Sequence, residues 1–382
     1  MILVVLGSAN YSRPPPALTM SVILPTSITV GAAPELPWPE AAEAAVGLQS
    51  VGVLAATANA TPRPIASTAK IMTALLTVEA HPLTSASTTP QLLINAGDVS
   101  DYLRFAAEDG SVVPVVEGET MSEYQALQAL LIPSGNNIAD LLARWLAGDT
   151  AKFVQEMNLR ARQMGLLGTT FTDPSGFDPG TVSTPSDLVR LAQSALNAPV
   201  LASIVAQTSA VLPVAGIVRN VNGALGRDGI VGVKTGNTPQ AKAVYVFAAR
   251  QTQDPNLTVI GAIEGLNSLS RCFAAAVDLV DAVRLALRPQ VIFSAGTVVG
   301  SYRSLWGAQT LVVAEHSISA RVWPGSRATV ALRAGPLAPG SPAHQTVGEL
   351  SIAWMGTNGH AAVMTRSAVS PPSWRWRLLR RS

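Results

Sequence analysis

A chain of 382 residues has room for two domains, and 48% apolar residues give ample material for a core. A net charge of +2, with no basic stripe interleaved with aromatics in the body of the chain, leaves no footprint for nucleic acid. A single cysteine, Cys272, excludes an internal disulfide, and His81, His316, His344 and His360 are scattered without ligand spacing, so no metal or other cofactor is implied.

In chain order, residues 1–6 are apolar, and Arg13 with three prolines precedes ALTMSVILPTSITVGAA (17–33). Residues 1–35 therefore read as a leader resembling an export signal, interrupted at Pro25, with a disordered leader as the rival reading. No later stretch reaches the roughly 18 uninterrupted apolar residues of a membrane span. The alternation in VGLQSVGVLAA predicts a hairpin that leads into RPIASTAKIMTALL (63–76), a helix former after Pro64. A serine/threonine-rich loop (83–90) follows, then LLINAGDVSDYLRFAAEDGSVVPVVEG, which reads as short strands and turns. SEYQALQALLI predicts a helix stopped at Pro133, and NNIADLLARWLAGD predicts another, leaving Ser134 to Asn136 in the bend between them.

Residues 151–165 predict an amphipathic helix with Phe153, Met157 and Met164 as its apolar members. A Gly/Pro/Asp-rich loop and a helix capped at Thr184-Pro185 come next, then a strand or turn region from 199. VGVKTG and AVYVFAA predict a strand hairpin, LTVIGAIEGL (257–266) a third strand, and 268–287 a closing helix. Helices first and antiparallel strands later indicate an α+β fold. Residues 288–365 alternate apolar and polar between Gly/Pro turns and predict a small β domain. The tail, 366–382, ends in SPPSWRWRLLRRS, a strand edge or disordered tail, with contact to an anionic membrane surface as the other reading.

The chemistry concentrates in three places. Ser67 and Lys70 are three apart, so on a helix their Cβ atoms lie roughly 5–6 Å apart and the amine can reach the hydroxyl. A desolvated lysine can deprotonate a serine, provided burial or nearby cations lower its pKa from about 10.4. The chain has only four lysines, Lys70, Lys152, Lys234 and Lys242, and two fall in motif-like contexts, Ser67-x-x-Lys70 and Lys234-Thr235-Gly236. Ser134-Gly135-Asn136 lies between them. The ordered set S-x-x-K, S-x-N, K-T-G matches the signature of penicillin-recognising serine enzymes.

Residues 36–287 resemble the D-alanyl-D-alanine carboxypeptidases of the low-molecular-mass penicillin-binding type. RPIASTAKIMTALL, LLIPSGNNIADLLA, FVQEMNLRARQMGLLGTTFTDPSGFD, STPSDLVRLA and VGVKTGNT carry the resemblance in order and spacing. It implies a β-lactamase/transpeptidase-like domain, an antiparallel sheet with an all-helical subdomain, followed by a small C-terminal β domain. It implies Ser67 as nucleophile, Lys70 as its base and Ser134 as the proton relay to the leaving D-alanine. Asn136, Lys234, Thr235, Gly236 and Asn237 would bind substrate, with the Ser67 and Asn237 amides as the oxyanion hole. The substrate implied is the peptidoglycan pentapeptide stem ending in D-Ala-D-Ala, β-lactams would be covalent inhibitors, and the location an exported one in the bacterial cell envelope. Two departures stand out. Asn137-Ile138-Ala139 replaces the usual Asp-Ala-Ala, which implies a packing change, and Pro239-Gln240-Ala241-Lys242 replaces a small Ala-Gly step, which bears on the pocket floor.

Two rivals share these residues. A β-lactamase needs fast deacylation, in one class through a loop glutamate, and the loop 166–187 holds Asp173, Asp178 and Asp187 but no glutamate. A non-catalytic peptidoglycan-binding scaffold is the other, and the intact motifs argue against it. Transpeptidation to an amine acceptor passes through the same acyl-enzyme.

Overall fold

The computed structural model describes residues 10–83, 90–251 and 254–380. The rest of the leader (1–9), the core of the serine/threonine-rich loop (84–89) and the last two tail residues lie outside them. The chain divides into two units, one spanning Leu36–Val283 and the other joining the N-terminal segment up to Glu35 with Arg284 onward.

The larger unit is built on five antiparallel strands: β1 (Glu43–Leu48), β2 (Gly52–Ala56), β3 (Ile230–Thr238), β4 (Lys242–Gln251) and β5 (Asp254–Leu266). Their order is β3-β4-β5-β1-β2. Central β4 is buried on both faces from Ala243 to Ala249, which is why AVYVFAA runs apolar instead of alternating. Val244, Val246 and Ala248 join the main core with the helices, whereas the Tyr245 ring packs edge-on against Phe273 at 5.0 Å. The Tyr245 hydroxyl donates to Asn222 Oδ1 (3.0 Å), so the one polar atom on that face is satisfied.

Eight helices cover and flank the sheet among the described residues: α1 (Lys70–Ala80), α2 (Ala96–Ala107), α3 (Glu123–Leu131), α4 (Asn136–Ala147), α5 (Thr150–Gln163), α6 (Pro185–Leu196), α7 (Pro199–Val205) and α8 (Leu269–Ala286). The hairpin, the helices around Pro133 and the three later strands stand where the sequence puts them. Three elements differ. The stretch read as strands and turns keeps one short pair, Gln91–Leu93 with Thr120–Ser122, but its middle is α2. Asn95 caps that helix and Asp98 returns the bond to the cap's backbone, a capping box that outweighs the weak apolar pattern behind it. α7 occupies the region read as strand or turn, started by Pro199, whose fixed φ and missing N–H suit a first helical position. The helix expected over 66–76 begins as a 3-10 turn, Ala66–Ala69, and becomes α-helical only at Lys70.

The second unit holds a seven-stranded antiparallel sheet in the order Thr19–Val22, Val298–Arg303, Gln309–Ala314, Thr357–Thr365, Thr346–Trp354, Arg327–Ala334, Ser27–Thr29. Both edge strands come from the segment read as a signal core. Thr19–Val22 pairs with Val298–Arg303 and Ser27–Thr29 with Arg327–Ala334, with Pro25 between the two short strands. The tail is neither a strand edge nor irregular throughout. Trp374–Leu379 forms a short helix, capped by the Ser373 side chain. Among the described residues, no single helix is long and apolar enough to cross a membrane.

Gly261 stands opposite Phe247 in the β4–β5 register, and a Cβ there would lie 2.1 Å from the Phe247 ring. Gly261→Ala is expected to lower the unfolding free energy by about 1–3 kcal/mol, as overpacking does in a filled core. Urea unfolding of the two proteins checks this.

Candidate active site

The turn that carries Ser67 is held from within. Ile65 O accepts from Thr68 N (3.3 Å) and Thr68 Oγ1 (2.7 Å), closing the 3-10 turn around Ser67, while Ala66 takes a φ of 47°. Lys70 opens α1, and its side chain runs back toward the helix start, the direction helical side chains favour. Its Nζ, fully buried, lies 2.7 Å from Ser67 Oγ, 2.7 Å from Asn136 Oδ1 and 3.0 Å from Ser175 O. Two of these neighbours are carbonyl oxygens, which only accept. In a neutral amine they would take the two N–H groups and leave the lone pair to face the serine hydroxyl. Burial pushes the Lys70 pKa well below the ordinary lysine range, the positive charge of Lys234 adds to this, and Asp173 and Asp140 oppose it.

The second motif sits in the bend where α3 ends. Ser134 carries a φ of 73°, and Gly135 N donates to Ala129 O (3.0 Å) to close the bend. Asn136 then starts α4, anchored by its N–H to Ser111 O (2.8 Å), with its amide oxygen delivered to Lys70. Ser134 Oγ is buried and has no hydrogen-bond partner among the described residues. Asn137, the first departure, is a packing element. Its amide both accepts from Val113 N (3.0 Å) and donates to Val113 O (2.9 Å), pinning the 111–115 segment beside the bend.

The third motif lies on β3, an edge strand of its sheet. Lys234 is buried, donates to Thr235 O (3.0 Å), and burial alone pushes its pKa down to about 7. Gly236 brings the strand against the Ser67 turn: a Cβ there would lie 2.8 Å from Ile65 O and 3.1 Å from Ser67 N. Only glycine permits that approach.

The loop 172–181 closes the arrangement from below. Asp173 accepts from Ser175 N, Ser175 Oγ, Phe177 N and Thr181 Oγ1, which sets the loop's shape and uses its carboxylate fully. Thr73 Oγ1 on α1 donates to Pro174 O (2.6 Å), one residue from the carbonyl that holds Lys70. Gly176 touches the Ala66 carbonyl so closely that a Cβ would stand 1.9 Å from it. Beside Ser67 opens a cleft of about 1110 Å³, walled by Arg104 and Phe105, Asn136 and Asp140, the 172–179 loop, and Asn237 to Gln240. Phe105 and Phe177 meet edge to face at 5.5 Å, and Arg104 lies over the Phe105 ring at 3.9 Å while pairing with Asp101 and Asp140. Burial, with Asp101 beside it, raises the Asp140 carboxyl to about 6.

Ser67, Lys70 and Asn136 are thus joined directly, Lys234 acts on Lys70 when it is charged, and Gly236 and Asn237 meet Ser67 by contact and by a shared cleft. Ser134 and Thr235 are buried without a side-chain bond to this set in the described structure. Pro239 and Gln240 of the second departure line the cleft, in the β3–β4 turn that Thr238 Oγ1 closes on Ala241 N (3.1 Å). The sequence reading missed Ser175, Thr73 and Gly176. The run Asp173-Pro174-Ser175-Gly176 was the available signal, since Asp-Pro and Ser-Gly pairs mark a tightly built loop.

A family profile described as D-alanyl-D-alanine carboxypeptidase, peptidase family S11, matches residues 36–263. The D-alanyl-D-alanine carboxypeptidase DacB2 of Mycobacterium tuberculosis is 35% identical over 209 residues, 53% of this chain and 67% of that protein. A Streptomyces DD-transpeptidase structure is similar over 66% of this chain and 99% of its own, with 27% identity and a TM-score of 0.57. Penicillin-binding protein 5 of Haemophilus influenzae covers 91% of this chain and 99% of its own at 18% identity and a TM-score of 0.60, a likeness of fold.

The depressed lysines make stability depend on pH. Lys234 stays largely neutral when folded above about pH 7, whereas unfolded it holds its proton up to about 10.4. The unfolded state therefore binds more protons in that window, and stability rises with pH across it. Lys234→Met is expected to unfold at higher temperature at pH 7 and to show a shallower rise toward pH 9.5. Parallel pH dependences for the two proteins would contradict the assignment.

Proposed function

Because this chain belongs to the D-alanyl-D-alanine carboxypeptidase family, we propose that it removes the terminal D-alanine from peptidoglycan stem peptides through an acyl-enzyme on Ser67. The observation that carries the proposal is the 2.7 Å contact between Ser67 Oγ and a buried Lys70 Nζ that also meets two carbonyl acceptors.

Ser67 gives its proton to the Lys70 lone pair as Oγ attacks the carbonyl between the two D-alanines. The oxyanion that forms is met by the amides of Ser67 and Asn237, each such donor contributing roughly 3–4 kcal/mol. Lys234 and Thr235 receive the terminal carboxylate, and Lys234 has donor capacity left beyond its bond to Thr235 O. The stem peptide lies along the free edge of β3, where Gly236 keeps the surface flat. Lys70 returns the proton through Ser134, whose unpartnered Oγ is free to take part, and the amine of D-alanine leaves. Water then releases the shortened peptide.

Slow deacylation of β-lactams fits the loop opposite Ser67. Its Asp173 carboxylate is occupied by four donors and is not available to activate water. The likeness to a DD-transpeptidase supports a second outcome for the same intermediate, transfer to an amine. Acting on peptidoglycan, the enzyme would work in the bacterial cell envelope, outside the cytoplasmic membrane.

Intact-protein mass spectrometry after benzylpenicillin is expected to show one stable adduct on the wild type and none on Ser67→Ala. The wild type should also release D-alanine from a diacetyl-L-Lys-D-Ala-D-Ala peptide, with or without an added amine, and Lys70→Ala should slow acylation by about 10²–10⁴-fold. Rapid penicillin turnover without an adduct would point to a β-lactamase. Folded protein with neither adduct nor D-alanine release would point to a scaffold.

A further inference from the structure

Of the twelve residues of α2, only Asp98 and Phe105 are buried, with Val99 and Tyr102 partly so, and the rest of its hold on α4 is ionic. Arg144 on α4 donates to Asp98 Oδ1 (2.6 Å) and pairs with Asp101 Oδ2 (2.5 Å). Arg104 on α2 donates through Nη2 to Asp101 Oδ1 (2.9 Å) and to Asp140 Oδ2 on α4 (3.0 Å). Asp140 is 8% exposed, and a carboxylate so far from water is tolerated when it is paired. It stands one helical turn after Asn136, and both side chains border the cleft beside Ser67.

The C-terminal end of α2 bears on both carbonyl acceptors of Lys70. Gly110 N donates to Phe105 O (2.8 Å), and Ser111 O accepts from Asn136 N (2.8 Å). Gly110 lies close against the Asn136 amide, where a Cβ would stand 2.8 Å from Nδ2. The Phe105 ring meets Phe177 edge to face at 5.5 Å. Phe177 N donates to Asp173 Oδ2 (2.9 Å) and to Ser175 Oγ (3.1 Å), so that ring belongs to the loop presenting the Ser175 carbonyl. The two acceptors on Lys70 Nζ come from different elements, and α2 with the turn after it touches both.

We propose that Arg104 and Asp140 are positioning residues: their ion pair closes α2 on α4, and the closed helix keeps the Asn136 and Ser175 oxygens on Lys70. The inference rests on the reading of Lys70 as the base of Ser67. Neither residue acts on the reacting atoms; both work through the acceptors of the base. The clamp also responds to protons. Burial and Asp101 raise the Asp140 carboxyl to about 6, Arg104 and Arg144 oppose the rise, and Asp173 of the loop adds to it. Asp140 in turn faces Lys70 on α1, whose proton affinity its charge increases. Above about pH 6 Asp140 is a carboxylate paired with Arg104, and below it the carboxyl is neutral and the attraction is lost.

Single-turnover acylation of the full chain by benzylpenicillin, followed by intact-protein mass spectrometry, tests the clamp. Asp140→Asn and Arg104→Gln are each expected to acylate about tenfold more slowly than the wild type at pH 8, with circular dichroism unaltered. The double variant should be no slower than the slower single, because both remove one pair. Losing the Asp140 charge by itself leaves Lys70 more readily neutral, so slower acylation by Asp140→Asn reports lost geometry. At about pH 5, where Asp140 is protonated in the wild type too, the Arg104→Gln deficit should shrink to within about twofold. Equal rates for the wild type and both variants at pH 8 would overturn the clamp. An Arg104→Gln deficit of the same size at both pH values would also overturn it and assign the pair to packing. No adduct on the wild type would instead overturn the Ser67–Lys70 reading beneath it.

Discussion

The catalytic unit is built closely around one buried lysine. Lys70 Nζ has three close neighbours, and two of them, Asn136 Oδ1 and Ser175 O, can only accept. A charged ammonium would spend its third hydrogen on Ser67 Oγ and have nothing left to take a proton. A neutral amine with the same contacts turns its lone pair to the serine. Burial favours the neutral form, and Lys234 adds to it whenever it carries its proton.

The fold can be read as the means of supplying those neighbours. Asn136 arrives because α3 ends at a bend that Ser134 accommodates with a left-handed backbone, so that α4 begins with its first side chain pointing at Lys70. The Ser175 carbonyl arrives because Asp173 organises its loop and Thr73 ties that loop to α1. β3 arrives because glycine at 236 lets the strand touch the Ser67 turn, and Gly176 presses against that turn too. The loop and strand approaches depend on a backbone carbonyl and on glycines, and the Asn136 approach on the left-handed backbone at Ser134. Small side chains and main chain, more than large ones, build this site.

Much of this was legible in the sequence, for definite reasons. Ser67 and Lys70 could be paired because helical spacing fixes their distance, and Lys234 stood out because lysine is scarce in this chain. β4 announced itself as a continuous apolar run. What stayed hidden were interactions without a local signature. The acceptor on Ser175 is a carbonyl, which every residue carries, so no side chain marks it. α2 was hidden because its capping box, Asn95 and Asp98, is polar and precedes only a thin apolar stripe. The strands at Thr19–Val22 and Ser27–Thr29 were read as a signal core because short edge strands and interrupted apolar runs share a composition. Only their partners, some three hundred residues later, separate the two.

The most direct test is the charge state of Lys70 itself. With four lysines in the chain, the lysine side-chain ¹³Cε signals are few enough to assign by single substitutions such as Lys70→Arg, and their shifts can be followed through a pH titration. The Lys70 signal is predicted to titrate well below the ordinary lysine range. A Lys70 signal that titrates near the ordinary lysine value of about 10.4 would show a charged ammonium at working pH and contradict its role as the base.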